Sequence, residues 1–411
     1  MRAMESMERA EPLARHGVII GKFLPPHLGH FHLVASAARR ARRLTVLVCT
    51  LRSECIPGRL RYAWMREMCE ALGPHVHVVH STSEVPQEPH EHPDFYAIWR
   101  DKIFLGAGAA SAAHGGQAGL SGPRTADTAL HAPYAAAGEP SQSPPLRSDE
   151  PVPPIDALFS SEEYGWPLSR ALGCEHRPVD VGRIGVPVSA TKIRTQPAKH
   201  WAFVPVPVRP WLVKRVLLYG PESTGKTTAA QLLARHYGTV WAPEWARLLL
   251  ETRDPQVVRI DDIPVIAREH LKLEDALARE ATAGVMFVDS DPITTSIYAR
   301  HYFDGHCPPH IPLLGDLRHY HARLLFTPEV PWIQDGQRDS PEGRDRLYVK
   351  FREELDRRGL AYTLISGPDY EDRIRQCVAA VDAVLRQPWT PPPPDAFITA
   401  DEAMMRCAGE G

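Results

Sequence analysis

The first apolar run, "GVII" at residues 17–20, is short and continuous, the pattern of a strand buried on both faces. "GHFHLVASAARRAR" follows it with Leu33, Ala37 and Ala41 at helical spacing, so it reads as a helix. "LTVLVCT" is a second strand, "RLRYAWMREMCEAL" a second helix stopped by Gly73-Pro74, and "HVHVVH" a third strand. Strands that alternate with helices need crossovers, and crossovers imply a parallel sheet. The rhythm returns downstream. "RVLLYG", "GVMFVDSD", "RLLFTPEV" and "AYTLIS" read as strands, and "GKTTAAQLLARHY" and residues 263–282, 342–358 and 370–386 as helices. The expected fold class is α/β, with two doubly wound parallel-sheet domains.

Where the rhythm fails, composition supplies the boundaries. Residues 106–153 are rich in Gly, Ala, Ser and Pro and poor in large apolar side chains, so they read as a disordered insertion in the first domain. A linker between domains is the alternative, but "IDALFSSEEYG" resumes the strand pattern after it. Proline, at 40 of 411 residues, is concentrated in a few segments, and "WAFVPVPVRPWLVKR" reads as a stiff connector. The expected organisation is a flexible extension over 1–15, a first domain over 16–200, a Pro-rich linker over 201–213, a second domain over 214–388 and a flexible tail over 389–411.

The apolar fraction of 43% and charged fraction of 24% are those of a globular chain, and the net charge of -3 gives no global field for nucleic acid. Seven cysteines without a C-x-x-C pair read as reduced thiols. The start lacks an apolar signal core, and no apolar run approaches the ~20 residues of a membrane span. A cytoplasmic chain without membrane or nucleic-acid partners is expected, and a homo-oligomeric assembly is left open. "HVHVVH" and "HCPPH" carry metal-ligand residue types without a second pair, and "AARRARR" is better read as a solvated helix face.

Two stretches carry chemistry. In "GKFLPPHLGH" the first strand ends at Gly21 and Phe23, two prolines fix a turn, and His27 and His30 can face one phosphate where a helix begins. A donating or protonated imidazole there would stabilise charge moving onto a leaving pyrophosphate. Alone, the stretch reads first as a strand–helix turn with two surface histidines. "VSATKIR" supplies a second anion-binding helix start, with Ser189 as cap, Thr191 in the first turn, and Lys192 and Arg194 as cations. The second stretch, "GPESTGKT", fits G-x-x-x-x-G-K-[ST] between a strand and a helix, the context of a P-loop. Gly220, Glu222, Ser223, Thr224, Gly225, Lys226, Thr227 and Thr228 would wrap ATP phosphates, with Lys226 on the β- and γ-phosphates and Thr227 on Mg²⁺. Asp289 and Asp291 emerge together at a later strand end; one would serve Mg²⁺ and the other the proton of the attacking hydroxyl, or Asp291 would merely cap the next helix. Glu244, Arg247, Asp335, Arg338 and Arg346 would serve substrate or a lid, the alternative for each being solvated surface charge.

The string "GKFLPPHLGH … SSEEYG … VSATKIR" resembles the HxGH nucleotidyltransferases, and within them the adenylyltransferase half of the bifunctional NadR-type proteins. The likeness runs from about Gly17 to Gln387 apart from the low-complexity stretch. It implies a Rossmann-like nucleotidyltransferase domain that makes NAD and pyrophosphate from ATP and nicotinamide mononucleotide, followed by a P-loop kinase that phosphorylates ribosylnicotinamide. By it, Gly21, Lys22, Phe23, His27, His30, Ser189, Thr191 and Arg194 would bind ATP. Arg61, Trp64, Trp99, Ser160, Ser161 and Glu162 would bind the mononucleotide, with Trp99 stacked on the cationic ring or, alternatively, in the core. His27, His30, Lys226 and Asp289 would be catalytic, and Thr227 and Asp289 would hold Mg²⁺. The chain has Trp245 where the family has Tyr, which removes a hydroxyl. Two other readings stay open: the same chemistries on another vitamin-derived nucleotide, and a nucleotide-sensing regulator. Some relatives begin with a helix-turn-helix, but only about sixteen residues precede the first strand here, so direct DNA repression is not expected.

Overall fold

A computed structural model describes residues 13–114, 152–254, 256–331 and 341–392, with Ala403 and Met405. The chain divides into two compact units after Thr191. The expected insertion beyond 114, most of the terminal extension and most of the tail lie outside the described residues.

The first unit is built on β1 (Gly17–Gly21), β2 (Leu44–Cys49), β3 (Val76–Ser81), β4 (Ala157–Ser160) and β5 (Glu175–Pro178), in the order β3-β2-β1-β4-β5. Every pair is parallel. Period-two alternation sends Ile19, Val46 and Val48 to one face, against Leu33, Val34 and Met65 of the helices Leu28–Ala38 and Gly58–Cys69. Val18, Ile20 and Leu47 go to the other face, against Trp99, Ile103, Leu168 and Leu172. With both faces covered, the strands have no polar side, which is why they read as unbroken apolar runs. β1 crosses to β2 on one side while β4 crosses to β5 on the other, so the order reverses between β1 and β4.

The second unit has β6 (Lys214–Tyr219), β7 (Trp241–Ala242), β8 (Val285–Asp289), β9 (Ala322–Phe326) and β10 (Thr363–Ile365), in the order β10-β9-β6-β8-β7. These are parallel too. β6 carries Lys214 inside the fold because its ammonium donates to the Val384 and Gln387 carbonyls, at 2.7 and 2.8 Å, at the carboxyl end of the helix Tyr370–Arg386. Here the crossovers diverge at the neighbouring pair β6 and β8. Among the described residues no helix is long and apolar enough to cross a membrane.

Four expectations are corrected. The alanine- and glycine-rich start of the expected insertion belongs to the helix Phe95–His114. Small residues lack the bulk that marks a core in sequence, yet they let the helix approach β2: Ala107 is buried, and a Cβ on Gly106 would stand 2.6 Å from Leu47. The expected linker 201–213 is packed rather than extended. Trp201 and Trp211 are buried, and the Trp201 indole N–H donates to the Ala281 carbonyl at 2.8 Å. Ala14, expected in the mobile extension, is buried and bridged to Ala41. In the expected tail, Ala403 is buried among Ile263, Leu271 and Leu314.

Gly106→Val will overpack the contact with Leu47 and lower unfolding stability by about 1–3 kcal/mol. Urea unfolding checks this; no loss would show that the helix does not press on β2 there.

Candidate active sites

The first site forms where the order of the first sheet reverses, at the carboxyl ends of the paired strands β1 and β4. His27 caps the helix Leu28–Ala38: its Nδ1 accepts the N–H groups of Gly29 at 3.1 Å and His30 at 3.3 Å. In return the Nδ1 of His30 accepts the His27 N–H at 3.2 Å. Since both Nδ1 atoms are acceptors, each neutral ring carries its proton on Nε2. The rings stack with centroids 3.7 Å apart, and Phe23 meets His30 edge-on at 4.9 Å. Gly29 makes room for the capping ring, because a Cβ there would stand 2.9 Å from it.

Burial, assisted by the Arg183 charge, pushes His27 down to about 3. Burial, then His27 and Arg183, hold His30 well below the ordinary histidine value. At neutral pH both rings are therefore uncharged donors. The N–H groups of Gly29 and His30 are taken by the cap. The ring Nε2–H groups are the donors the cap does not use.

Val188 lies 3.7 Å from the Cβ position of Gly29, which brings the start of "VSATKIR" against the His27 turn. Ser189 and Thr191 follow it directly. Arg194 lies on the helix Ala190–Thr195, which the division between units crosses. Sequence reasoning passed over Arg183, in a loop held by Asp180. That carboxylate accepts the N–H groups of Ile184, Gly185 and Val186 at 2.7, 3.2 and 3.2 Å. Burial opposes ionisation of Asp180, but the three donors hold it below the ordinary carboxyl range. An Asp and an Arg in a Gly-containing loop just before "VSATKIR" were the available signal.

Several expected mononucleotide ligands turn inward. Arg61 is fully buried; its guanidinium donates to the Ile56 carbonyl at 3.1 Å, the Lys22 carbonyl at 2.6 Å and Glu54 at 2.5 Å. It braces the turn after β1 instead of reaching a ligand. Lys22 itself is exposed, with its Nζ 3.7 Å from Glu54. Trp64 is buried. Trp99 is a core residue, its indole N–H on the Pro86 carbonyl at 2.9 Å and the Lys102 ammonium 4.9 Å over its ring, so it is no open plate for nicotinamide. Ser160 is buried on His176, at 2.8 Å, whereas Ser161 is half-buried and Glu162 exposed at the rim.

The second site follows β6 and β8. Gly220, Ser223 and Gly225 all adopt positive φ, which coils the loop before the helix Lys226–Tyr237. At Gly220 a Cβ would meet the Phe326 carbonyl at 2.9 Å, so glycine is required for space as well as conformation. Lys226 donates to the Pro221 carbonyl at 2.7 Å across its own loop, and Thr224 to the same carbonyl at 2.9 Å. Thr228 is exposed on the helix. Thr227 donates to Asp289 at 2.5 Å, and the other Asp289 oxygen is buried without a hydrogen-bond partner among the described residues. A hydroxyl beside a buried carboxylate with an unused oxygen is a donor set that fits a divalent cation. Asp291 is the N-cap of the helix Pro292–Tyr302, accepting the Thr294 N–H at 2.8 Å, with burial raising its pKa. The capping alternative is the one seen.

Glu222, Glu244 and Arg247 line a cavity of about 160 Å³ together with Leu250, Ile266, Tyr298 and Tyr302. Tyr298, unforeseen from sequence, donates to Glu222 at 2.9 Å. Burial and then Asp289 hold the Glu244 carboxyl above its ordinary range. Trp245 has its indole N–H buried without a partner among the described residues. Arg346 is exposed on the helix Pro341–Arg357; Asp335 and Arg338 lie outside the described residues. Sequence reasoning also missed Arg373, which is buried and donates to the Thr224 carbonyl at 3.0 Å.

A family profile described as an AAA domain matches residues 215–373. The trifunctional NAD biosynthesis/regulator protein NadR of Escherichia coli strain K12 is 24% identical over 389 residues, covering 90% of this chain and 83% of its own length. The protein of the same description from Salmonella typhimurium strain LT2 gives the same identity and coverage. A crystal structure of NadR in complex with NR aligns at a TM-score of 0.64 and 20% identity, over 92% of this chain and 98% of that one. A second, with NAD and AMP-PNP, aligns at 0.64 and 19%, over 90% and 96%. At these identities the structural likeness shows the fold.

The low His27 value has a sign that can be measured. Its neutral form contributes stability fully above the ordinary 6.5, and that stability is lost as pH falls towards about 3. His27→Asn, which can still cap, will flatten the acid loss by about 1.4 kcal/mol per pH unit below 6.5. Urea unfolding of the two chains between pH 7.5 and 5 checks it; equal slopes would mean that His27 is not held neutral.

Proposed function

We infer that this chain, which is of the NadR type and carries an AAA-type P-loop domain, is a bifunctional enzyme of NAD synthesis. One half transfers the adenylyl group of ATP to nicotinamide mononucleotide, and the other phosphorylates ribosylnicotinamide with ATP. The cavity beside the P-loop carries this reading furthest. Two carboxylates and two tyrosines in its lining suit a ribosyl hydroxyl and a cationic pyridinium. The similar structures were solved with NR, and with NAD and AMP-PNP, which supports the same substrate classes here.

In the first half no protein nucleophile is needed. A mononucleotide phosphate oxygen attacks the α-phosphorus of ATP in line, the bond to the β-phosphate oxygen breaks, and pyrophosphate leaves. His27 and His30 donate from Nε2 to phosphate oxygens as charge shifts onto the leaving group. Ser189 and Thr191 hold the distal phosphates, and Lys22 borders the pocket.

In the second half Lys226 exchanges the Pro221 carbonyl for the β- and γ-phosphates. Thr227 and Asp289 hold Mg²⁺, which would neutralise phosphate charge when bound. Glu244, kept above the ordinary carboxyl range beside Asp289, is the cavity carboxylate suited to take the proton of the attacking ribosyl hydroxyl. Arg247, in the lining of the same cavity, belongs to substrate binding. The product of this half is the acceptor of the other, which gives the two units a reason to share a chain.

Purified protein with ATP and Mg²⁺ will form NAD from nicotinamide mononucleotide, and the mononucleotide followed by NAD from ribosylnicotinamide, read by chromatography. His30→Ala will slow the first reaction ~10²–10³-fold and spare the second; Lys226→Ala will do the reverse. NAD from the mononucleotide alone would favour a nucleotide-sensing second unit. No product from either would point to another vitamin-derived acceptor.

A further inference from the structure

A further fixed positive charge near the first site belongs to a residue outside both of its motifs. Arg183 donates to Glu162 at 2.8 Å and approaches the Val188 carbonyl at 3.5 Å. It therefore touches the segment after β4 and the segment before "SATKIR", and its charge acts on both His27 and His30. We propose that Arg183 is a phosphate-binding residue of the adenylyl-transfer site, with Glu162 occupying its guanidinium in the place a phosphate takes in the reaction. The proposal rests on the adenylyl-transfer reading above and adds a contact to it.

The charge balance favours such a group. His27 and His30 are uncharged here, so they can donate hydrogen bonds to a polyphosphate but cannot neutralise it. Two rings stacked at 3.7 Å do not both become cations. A guanidinium keeps its charge and binds carboxylate and phosphate with the same two-pronged geometry, so one can displace the other without repositioning the loop. The pair with Glu162 is partly exposed, with side chains 41% and 54% accessible, and such pairs are held weakly enough to exchange.

The loop is also built to hold this side chain in place. Arg183 stands at φ 50°, and its N–H donates to the Asp180 carbonyl at 2.8 Å. The Asp180 carboxylate gathers the next three N–H groups. The turn is thus fixed by backbone contacts, which leaves the side chain to serve the site. As the α-phosphorus accepts the mononucleotide oxygen and releases pyrophosphate, the electron pair of the broken P–O bond stays with the leaving group. Arg183 would meet that growing charge.

Full-length protein in a Lys226→Ala background, which suppresses ATP binding at the P-loop, isolates the first site. Calorimetric titrations use ATP with Mg²⁺, and separately inorganic pyrophosphate. Arg183→Ala will weaken both at least ~10-fold and reduce the salt dependence of binding, because a charge contact is gone. Arg183→Lys will recover part of the loss, and the urea midpoint will stay in place. In the chain with Lys226 intact, Arg183→Ala will slow NAD formation ~10²-fold while ribosylnicotinamide phosphorylation holds. Unchanged binding, or a loss with unaltered salt dependence and a lowered urea midpoint, overturns the assignment. Binding that needs Arg183 in a protein that makes no NAD keeps it and overturns the acceptor instead.

Discussion

Parallel strands cannot be joined by tight turns, and that constraint arranges everything else in both units. Each strand must be followed by a crossover over a face of the sheet, so all carboxyl ends reach the same rim. At the pair whose crossovers diverge, a crevice opens: between β1 and β4 in the first unit, and between β6 and β8 in the second. The first strand of each unit feeds a turn into a helix, and a helix start leaves backbone N–H groups without partners. "GKFLPPHLGH" and "GPESTGKT" are two solutions to that problem. The first caps the helix with an imidazole at His27, and the second coils the chain through glycines at positive φ.

The two solutions differ in where they keep charge. In the first unit the capping bonds fix the imidazole tautomers, and burial keeps the rings neutral. Positive charge then has to come from side chains around them. In the second unit the charges are built into the loop and its neighbours: Lys226 within it, Asp289 on Thr227, and Glu244 close to both. A neutral donor pair suits a step in which charge moves between phosphates without a net proton transfer to protein. Facing carboxylates suit a step that must deprotonate a hydroxyl and gather a cation.

The fold was legible because buried parallel strands must be apolar on both faces, and "GVII", "LTVLVCT" and "RVLLYG" are. The helix Phe95–His114 was not legible past Gly106, because alanine and glycine can mean close packing or no packing, and only Leu47 across the gap decides. The two turns were legible since few residue types form a capping imidazole pair or a coiled glycine loop. Direction was what sequence lacked. Arg61 and Trp99 have the chemistry of ligands, yet the Lys22 and Pro86 carbonyls draw them inward. Arg183 lies in an unremarked loop, and its place between Glu162 and Val188 depends on how Asp180 folds the chain back.

The inward arginines show what holds a phosphate turn still. Arg61 gathers the carbonyls of Lys22 and Ile56 with the Glu54 carboxylate, and Arg373 gathers those of Thr224, Thr327 and Gly367. In each unit a buried guanidinium thus ties the loop after the first strand to segments distant in sequence. Burying such a charge costs several kcal/mol before its partners offset it, so an apolar residue of like volume would serve bare stability as well. It would leave loop carbonyls buried without donors and the turn free to shift. Five fixed N–H donors on one rigid plane set the relative positions of several carbonyls at once, which a lysine on its flexible stem does not. The arginines are there for geometry: a phosphate site works only if its donors already stand where the charge will develop.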